Sequence, residues 1–476
     1  MQIDHKFTKV IATIGPSSSR VEVIQDMILF GVNVFRLNFS HGKHESHLEN
    51  INNIRSIANK LDMPIALLAD LQGPKIRVGK FKNDEVTLLT GAKTILDTKF
   101  DGLGDAGIIS LDYKELVNDV KQDDILLLDD GKISLRVIDV CNMQIHCTIE
   151  QGGVLKNNKG INKLGGGLSA KALTNKDVED IKFISKNNFD YVAISFPKDA
   201  QDIIYSREQL KLYGSNAKLI AKMERAEAVF NNMESIIKVS DGIMVARGDL
   251  AVEIGDAMVP GIQKRIIKNC RNLSKISIVA TQMLESMIEN SVATRAEVSD
   301  IANAVLDGSD AVMLSAETAS GKYPILAVET MSRVCIEAEK MIDSKLKANF
   351  GKEKFANIQQ TISMAALFSA YHQDANAIIA LTTSGSTAWW MSRIISHIPI
   401  YAVTDSVDAY HAMSILRGVF PILLQHKSKD TNSLIYEACN YLLLSKVLNK
   451  NDTVVVTFGD FLSQIGQTNS LKIIVL

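Results

Sequence analysis

The sequence predicts an α/β protein: a parallel (β/α)₈ TIM barrel with an inserted β-barrel domain and an open α/β domain at its C-terminal end. Three observations carry that prediction. Eight short β-branched runs alternate with helix-period stretches, the pattern of a parallel barrel with helices outside. The interval 72–170 breaks the rhythm with β-rich segments and glycine turns. A new set of alternating runs begins near Lys345. The expected domains are therefore 1–71 with 171–344 for the barrel, 72–170 for the insertion and 345–476 for the last unit.

In order, the barrel runs are KVIATIG from Lys9, NVFRLNFS from Asn33, IALLAD from Ile65, YVAISF from Tyr191, KLIAKME from Lys218, GIMVARGD from Gly242, SIVATQ from Ser277 and AVMLSAE from Ala311. Helices are expected between them, at Val21–Phe30, His44–Leu61, Asp199–Leu212, Pro260–Leu273 and Thr294–Leu306. The insertion contains EVTLLTGAKTIL, DDILLLDDGKISLRVIDV and MQIHCTIEQGGVL, and the glycines of NKGINKLGGGLS suit a flexible return to the barrel. The last unit follows a long helix and holds AIIALTT, IYAVTD, VFPILLQ, TVVVTFG and LKIIVL.

Bulk composition narrows the class. A chain of 476 residues, 46% apolar and 22% charged, is ordinary globular material, enough for roughly two to four domains. A formal charge of −2 offers no polyelectrolyte surface, so nucleic acid is not an expected partner. Cys141, Cys147, Cys270, Cys335 and Cys439 lack metal-site spacing and read as reduced thiols. The N-terminus enters a strand without an apolar signal core, and no apolar run approaches membrane-spanning length. The expectation is a cytoplasmic protein with no membrane partner.

Barrels of this kind place their chemistry at the C-terminal ends of the strands. Arg36, Asn38 and Ser40 end the second run with a spacing of two and so point one way. Asp70 ends the third run, Ser195 the fourth, Lys222 and Glu224 the fifth, Arg247-Gly248-Asp249 the sixth, Thr281 the seventh and Ser315 the eighth. Taken singly, a strand-end Asp or Ser is a helix cap and Lys222 a solvated terminus. As a set they would leave one interior end crowded with uncompensated charge. Glu224 and Asp249 on adjacent strands suit Mg²⁺ with sites left for water and substrate oxygens. Arg36 and Lys222 suit a phosphoryl group. Free N–H groups at the turn Arg247–Asp249 suit a small carboxylate. The ligand implied is a small phosphorylated acid, whose chemistry is mostly positioning and electrostatics.

The strings ATIGPSS, NVFRLNFSHG, DLQGPKIR, KMERAEAV, SDGIMVARGDL, ATQMLESM and TRAEVSDIANAVLDGSDAVMLSAETASGKYP resemble pyruvate kinase, and the resemblance covers essentially the whole chain. It implies Mg²⁺-dependent phosphoryl transfer from phosphoenolpyruvate to ADP, giving pyruvate and ATP at the end of glycolysis, with Mn²⁺ able to substitute for Mg²⁺. By position, Lys222 would stabilise the moving phosphoryl group and Arg36 would hold the phosphate. Glu224 and Asp249 would bind the metal. The backbone of Gly248 and Asp249 would take the substrate carboxylate, with Ser195 nearby. Thr281 and Ser315, with bound water, would face the carbon that is protonated. Thr13, Pro16, Asn38, His41, Arg77 and Lys159 match the nucleotide side. Lys159 belongs to the insertion, so the resemblance makes that domain a lid that excludes water on closing.

Two departures from the family pattern stand out. Many members need K⁺ and carry an acidic residue where this chain has Lys75, and Thr where it has Leu71. Asn38, Ser40, Asp70 and Leu71 match the K⁺ pocket, so the ammonium of Lys75 is expected to replace the ion, the alternative being that it faces solvent. Ser291 and Ala293 stand where the family often has proline, at a turn that touches no expected ligand. In the last domain, Thr382, Thr383, Ser384, Gly385, Ser386 and Thr387 lie between a strand and a helix. They form either a plain helix cap or the family's phosphorylated-effector loop. The GPKIR form resembles bacterial enzymes activated by AMP or sugar monophosphates, and the family is usually homotetrameric. A barrel lyase or aldolase acting through a pyruvate enolate would share Glu224 and Asp249 but would need neither Lys222 nor a nucleotide lid. An inactive paralogue kept as a sensor would be expected to have lost a metal carboxylate or the central lysine, and this chain retains them.

Overall fold

The computed structural model describes residues 6–342, 355, 357–425, 430–459 and 468–476. The expected boundary between 344 and 345 falls outside the described residues. Eight parallel strands close in chain order: Lys9–Thr13, Val32–Asn38, Ala66–Asp70, Tyr191–Ile194, Lys218–Met223, Gly242–Ala246, Ile276–Ala280 and Ala311–Leu314. The last pairs with the first, Ala311 opposite Lys9. Period-two alternation divides each strand between two cores. Ile11, Val34, Leu68, Ala193, Ile220, Met244, Ile278 and Met313 fill the barrel interior. Their neighbours, such as Val10, Phe35, Leu67, Val192 and Val245, pack under the helices. Both faces of each strand are thus buried, which is why the runs are continuously apolar.

Three of the surrounding helices begin at a side-chain cap. Thr174 and Thr294 each form a capping box, with Asp177 and Glu297 respectively, and the Asp199 side chain accepts from the first turn of Ala200–Leu212. Between strands five and six lie two short helices, Ala226–Phe230 and Met233–Val239.

The insertion leaves the barrel after Asp70. Its strands form a six-stranded sheet, in the order Ile161–Lys163, Ile125–Leu128, Ile133–Cys141, Gln144–Gln151, Lys93–Asp97, Ile108–Ser110, and a two-stranded sheet of Glu85–Leu88 with Gly153–Lys156. One hydrophobic core, including Val78, Leu96, Leu126, Leu135 and Ile145, serves the domain. Outgoing and returning chains are laced together at the neck, where Ile161 N–H donates to Ile76 O at 3.0 Å and Val78 N–H to Lys159 O at 2.9 Å.

The C-terminal domain is a five-stranded sheet in the order Val419–Leu423, Ile400–Thr404, Ala377–Leu381, Thr453–Phe458, Ser470–Val475, parallel except for the last strand. It docks on the end of the barrel opposite the strand C-termini. There Lys9 Nζ donates to Val419 O at 2.7 Å and Tyr191 Oη to Ala412 O at 2.6 Å. The barrel-interior core continues into Met413, Ile415 and Leu416. All five cysteines are free, and no described helix is long and apolar enough to cross a membrane.

Candidate active site

Asp70 is the electrostatic centre. It is 1% exposed, at the end of strand three, and receives Arg36 Nε at 2.6 Å on one oxygen and Lys222 Nζ at 3.2 Å on the other. Burial alone would raise its pKa, but the charges of Lys222 and Arg36 outweigh that and hold it below the ordinary carboxylate value. Arg36 also donates to Thr13 Oγ1 at 2.9 Å. Lys222 donates to Ser195 Oγ at 2.8 Å, and Ser195 in turn to Leu71 O at 2.7 Å. Burial works against the Lys222 charge, yet Asp70 and Glu224 raise its pKa well above the ordinary lysine value. It is a permanent cation at the strand ends.

Glu224 follows Lys222 by two residues and is fully buried. Its Oε2 accepts Phe196 N–H at 2.8 Å, which steadies Phe196 in a left-handed conformation at φ 54°. Its Oε1 has the Lys222 ammonium at 2.9 Å but off hydrogen-bonding geometry, so this buried oxygen has no hydrogen-bond partner. Burial, reinforced by the nearby Asp249 charge, raises the Glu224 pKa against the pull of Lys222. Asp249 lies in the first turn of helix Arg247–Ile254, with Lys75 Nζ at 3.4 Å from its carboxylate. Two carboxylates close enough for the charge of one to act on the other, one with an orphaned oxygen, suit a hard divalent cation. Among the described residues no group of three or more His, Cys, Asp or Glu forms a complete cage. A cation held by Glu224 and Asp249 therefore draws its other ligands from water or substrate.

The turn after strand seven faces that helix. Thr281 and Gln282 are left-handed at φ 68° and 55°, a conformation costing about 1–3 kcal/mol for a residue other than glycine. Arg247 holds it, donating to Thr281 O at 2.7 Å and Gln282 O at 3.2 Å, while also pairing with Asp300 at 2.6 Å. The strained turn aims Thr281 Oγ1 at Gly248 N–H, 2.9 Å away. Glu317 links the last two strand ends, accepting from Ser315 N–H at 2.7 Å and Leu284 N–H at 3.1 Å.

A cavity of about 850 Å³ opens beside Arg36, lined among others by Thr13, Pro16, Asn38, His41 and Ser315. Arg77 and Lys159 lie elsewhere. Arg77 donates to Asn158 O at 3.0 Å and Lys159 pairs with Asp129 at 2.7 Å, both within the inserted domain. Contrary to the expectation from the sequence, Lys75 does not meet Asp70. Its ionic partner is Asp249, and both oxygens of Asp70 are taken by Arg36 and Lys222. Asn38 accepts Ser40 N–H at 3.1 Å, and the Leu71 side chain is buried. In the C-terminal loop, Gly385 is left-handed at φ 80° before helix Ser386–Ser392, and its N–H donates to Thr382 Oγ1. Ser384 donates to Ser386 Oγ at 3.1 Å. Thr387 is buried against Thr468, with 2.7 Å between their hydroxyls, so its hydroxyl is not presented to a ligand as expected. Sequence reasoning missed Ser46, His47 and Asn50 on the cavity wall. Their three- and four-residue spacing on one helix face was the available signal. It also gave no role to Arg247 or Glu317.

Two family models match the chain: pyruvate kinase, barrel domain, over residues 5–328, and pyruvate kinase, alpha/beta domain, over residues 360–474. The chain belongs to the pyruvate kinase family. It is 50% identical to a pyruvate kinase of Buchnera aphidicola from Schizaphis graminum, and 46% identical to pyruvate kinase II of Salmonella typhimurium, each over 98% of both chains. A crystal structure of a pyruvate kinase from Cryptosporidium parvum superposes with a TM-score of 0.93 at 34% identity, covering 99% of this chain and 96% of that one. Membership makes the chain an enzyme of the kinase class.

Proposed function

We propose that the enzyme moves the phosphoryl group of phosphoenolpyruvate to ADP, forming pyruvate and ATP, with Mg²⁺ held by Glu224 and Asp249. The observation that carries this reading is Lys222, a buried cation 2.9 Å from a candidate metal carboxylate and linked through Asp70 to Arg36 on the wall of the cavity. When bound, Mg²⁺ would supply Lewis-acid neutralisation of oxygen charge. The chain's own groups do the rest. Arg36 and Lys222 orient the phosphoryl oxygens while the bond from phosphorus to the enol oxygen breaks and a β-phosphate oxygen of ADP forms the new one. N–H groups in the first turn of Arg247–Ile254 hold the substrate carboxylate, which requires the Gly248 N–H to leave the Thr281 hydroxyl it bonds at 2.9 Å. The enolate then takes a proton at carbon, relayed through water held near Thr281 and Ser315, since a threonine hydroxyl is a poor acid unaided. The inserted domain acts as the lid, and its closure would carry Arg77 and Lys159 toward the nucleotide.

The same reading makes the enzyme independent of K⁺, with the Lys75 ammonium, 3.4 Å from Asp249, supplying a fixed monovalent charge although it does not sit on Asp70. It also makes the loop Thr382–Ser386 the site of an activating AMP or sugar monophosphate in a cytoplasmic homotetramer. The test is pyruvate formation from phosphoenolpyruvate and ADP with Mg²⁺, with and without K⁺, and with AMP or ribose 5-phosphate added. Activity in both salts supports both parts of the reading. Activity confined to K⁺ keeps the reaction and removes the role of Lys75. Inactivity of the folded protein in every mixture refutes the reading.

A further inference from the structure

The segment by which the insertion returns to the barrel is held by the side chain of Glu227 and by the backbone carbonyl of Glu253, two residues the reaction does not use. Gly165, Gly166 and Gly167 are all left-handed, at φ 82°, 80° and 95°. Gly165 N–H donates to Glu253 O at 2.9 Å, and Gly167 N–H donates to Glu227 Oε1. A Cβ on Gly166 would fall inside the Glu227 carboxylate, so glycine is required there by contact as well as by φ. Arg225 adds a bond to Leu168 O at 3.3 Å. Glu253 is 2% exposed, and its carboxylate accepts Ala226 N–H at 2.8 Å, tying the two acids' elements together. The other oxygen of Glu227 is buried without a hydrogen-bond partner.

The placement of these acids is informative. Glu227 lies three residues beyond Glu224, and Glu253 lies on the same helix as Asp249, one turn further on. The short helix that directly follows Glu224 and the helix that carries Asp249 therefore both hold the lid's return strap. We propose that Glu227 and Glu253 are positioning residues that couple occupation of the metal site to the setting of the lid. This rests on the reading of Glu224 and Asp249 as metal ligands and of the insertion as a lid. A cation drawing Glu224 and Asp249 together would shift the strand end, with the short helix that follows it, against the helix of Asp249, and the strap, bonded to both helices, would move with them.

The experiment is hydrogen–deuterium exchange of the full-length enzyme at residues 163–168, with and without Mn²⁺, alongside Mn²⁺ titration by electron paramagnetic resonance. The expected result is at least about a fivefold slowing of strap exchange on metal binding, an effect lost in Glu227→Ala while Mn²⁺ affinity stays within about twofold. In that variant kcat falls about tenfold or more, as for a displaced catalytic geometry. Glu227→Gln, which keeps the acceptor oxygen, restores most of the coupling. Absence of Mn²⁺ binding in the parent enzyme overturns the metal-site reading and this inference with it. Mn²⁺ binding without any change at the strap overturns the coupling alone. Coupling that persists in Glu227→Ala does so as well. If Glu227→Ala does not fold, Glu227→Gln decides: unchanged coupling supports the acceptor role, and lost coupling overturns it.

Discussion

Lys222 has Asp70, Glu224 and Ser195 within reach of one ammonium, and each contact fixes its position before any substrate arrives. Lys222→Met is expected to lower kcat about 10²–10³-fold, as for loss of a preorganised charge at a transition state, with the smaller change in KM; steady-state kinetics measures both. Asp70→Asn keeps the shape but leaves Arg36 and Lys222 without their shared anion. A denaturant melt should show a loss of about 3–5 kcal/mol, the usual cost of breaking a buried pair. The position of Lys222 and Glu224 at one strand end was legible in the sequence from their spacing of two after an apolar run, whereas Asp249 lies in the first turn of the helix that follows strand six. The partners of Lys75 and Asp70 were not legible. Spacing gives the face of a strand, whereas which charge meets which across a barrel mouth depends on strand tilt and on the path of the insertion.

At the scale of elements, long helices were readable from apolar period and caps: His44–Leu61 falls where expected, and Arg295–Leu306 starts after its Thr294 cap. The short helices Ala226–Phe230 and Met233–Val239 were not, since so few residues cannot display a period. Thr294→Ala removes a capping box on an exposed helix start and should cost about 1 kcal/mol, seen as a lower Tm with kcat unchanged. The helix carrying Asp249 has a pH signature. Burial first, with the Glu227 charge adding and Arg225 opposing, pushes Glu253 up from 4.5 to about 7. Between those values the folded state binds the extra proton, so this group's contribution to stability is lost as pH rises through about 7. Glu253→Gln should flatten that part of the stability–pH curve, measured by melting between pH 4.5 and 7.

Across the whole molecule, the barrel and the C-terminal domain are joined by charge as well as by core. Asp310 receives a bidentate Arg393 and the Arg417 N–H, and Lys9 is 3% exposed with its ammonium over the Phe420 ring. Burial first, then the Lys6 and Arg417 charges against the opposing Glu339, lower the Lys9 pKa from 10.5 to about 7. The unfolded chain binds the extra proton between those values, so stability should rise with pH across that window; in Lys9→Met melts the rise should be smaller. This docking was invisible in the sequence, because it pairs residues such as Lys9 and Val419, separated by 410 positions. The three-domain order was visible, because each unit keeps its own hydrophobic pattern. The laced neck of the insertion carries a consequence for how such a chain folds and diverges. Tyr191 pairs directly with Leu68, so strands three and four meet as though nothing lay between them. The detour is closed by its own core and its own pairing at Ile76 and Ile161. The entropic cost of a longer excursion grows only logarithmically, about 0.6 kcal/mol per doubling. The barrel can thus nucleate without waiting for the excursion, and that module can lengthen, shorten or be exchanged between lineages while the catalytic scaffold keeps its register.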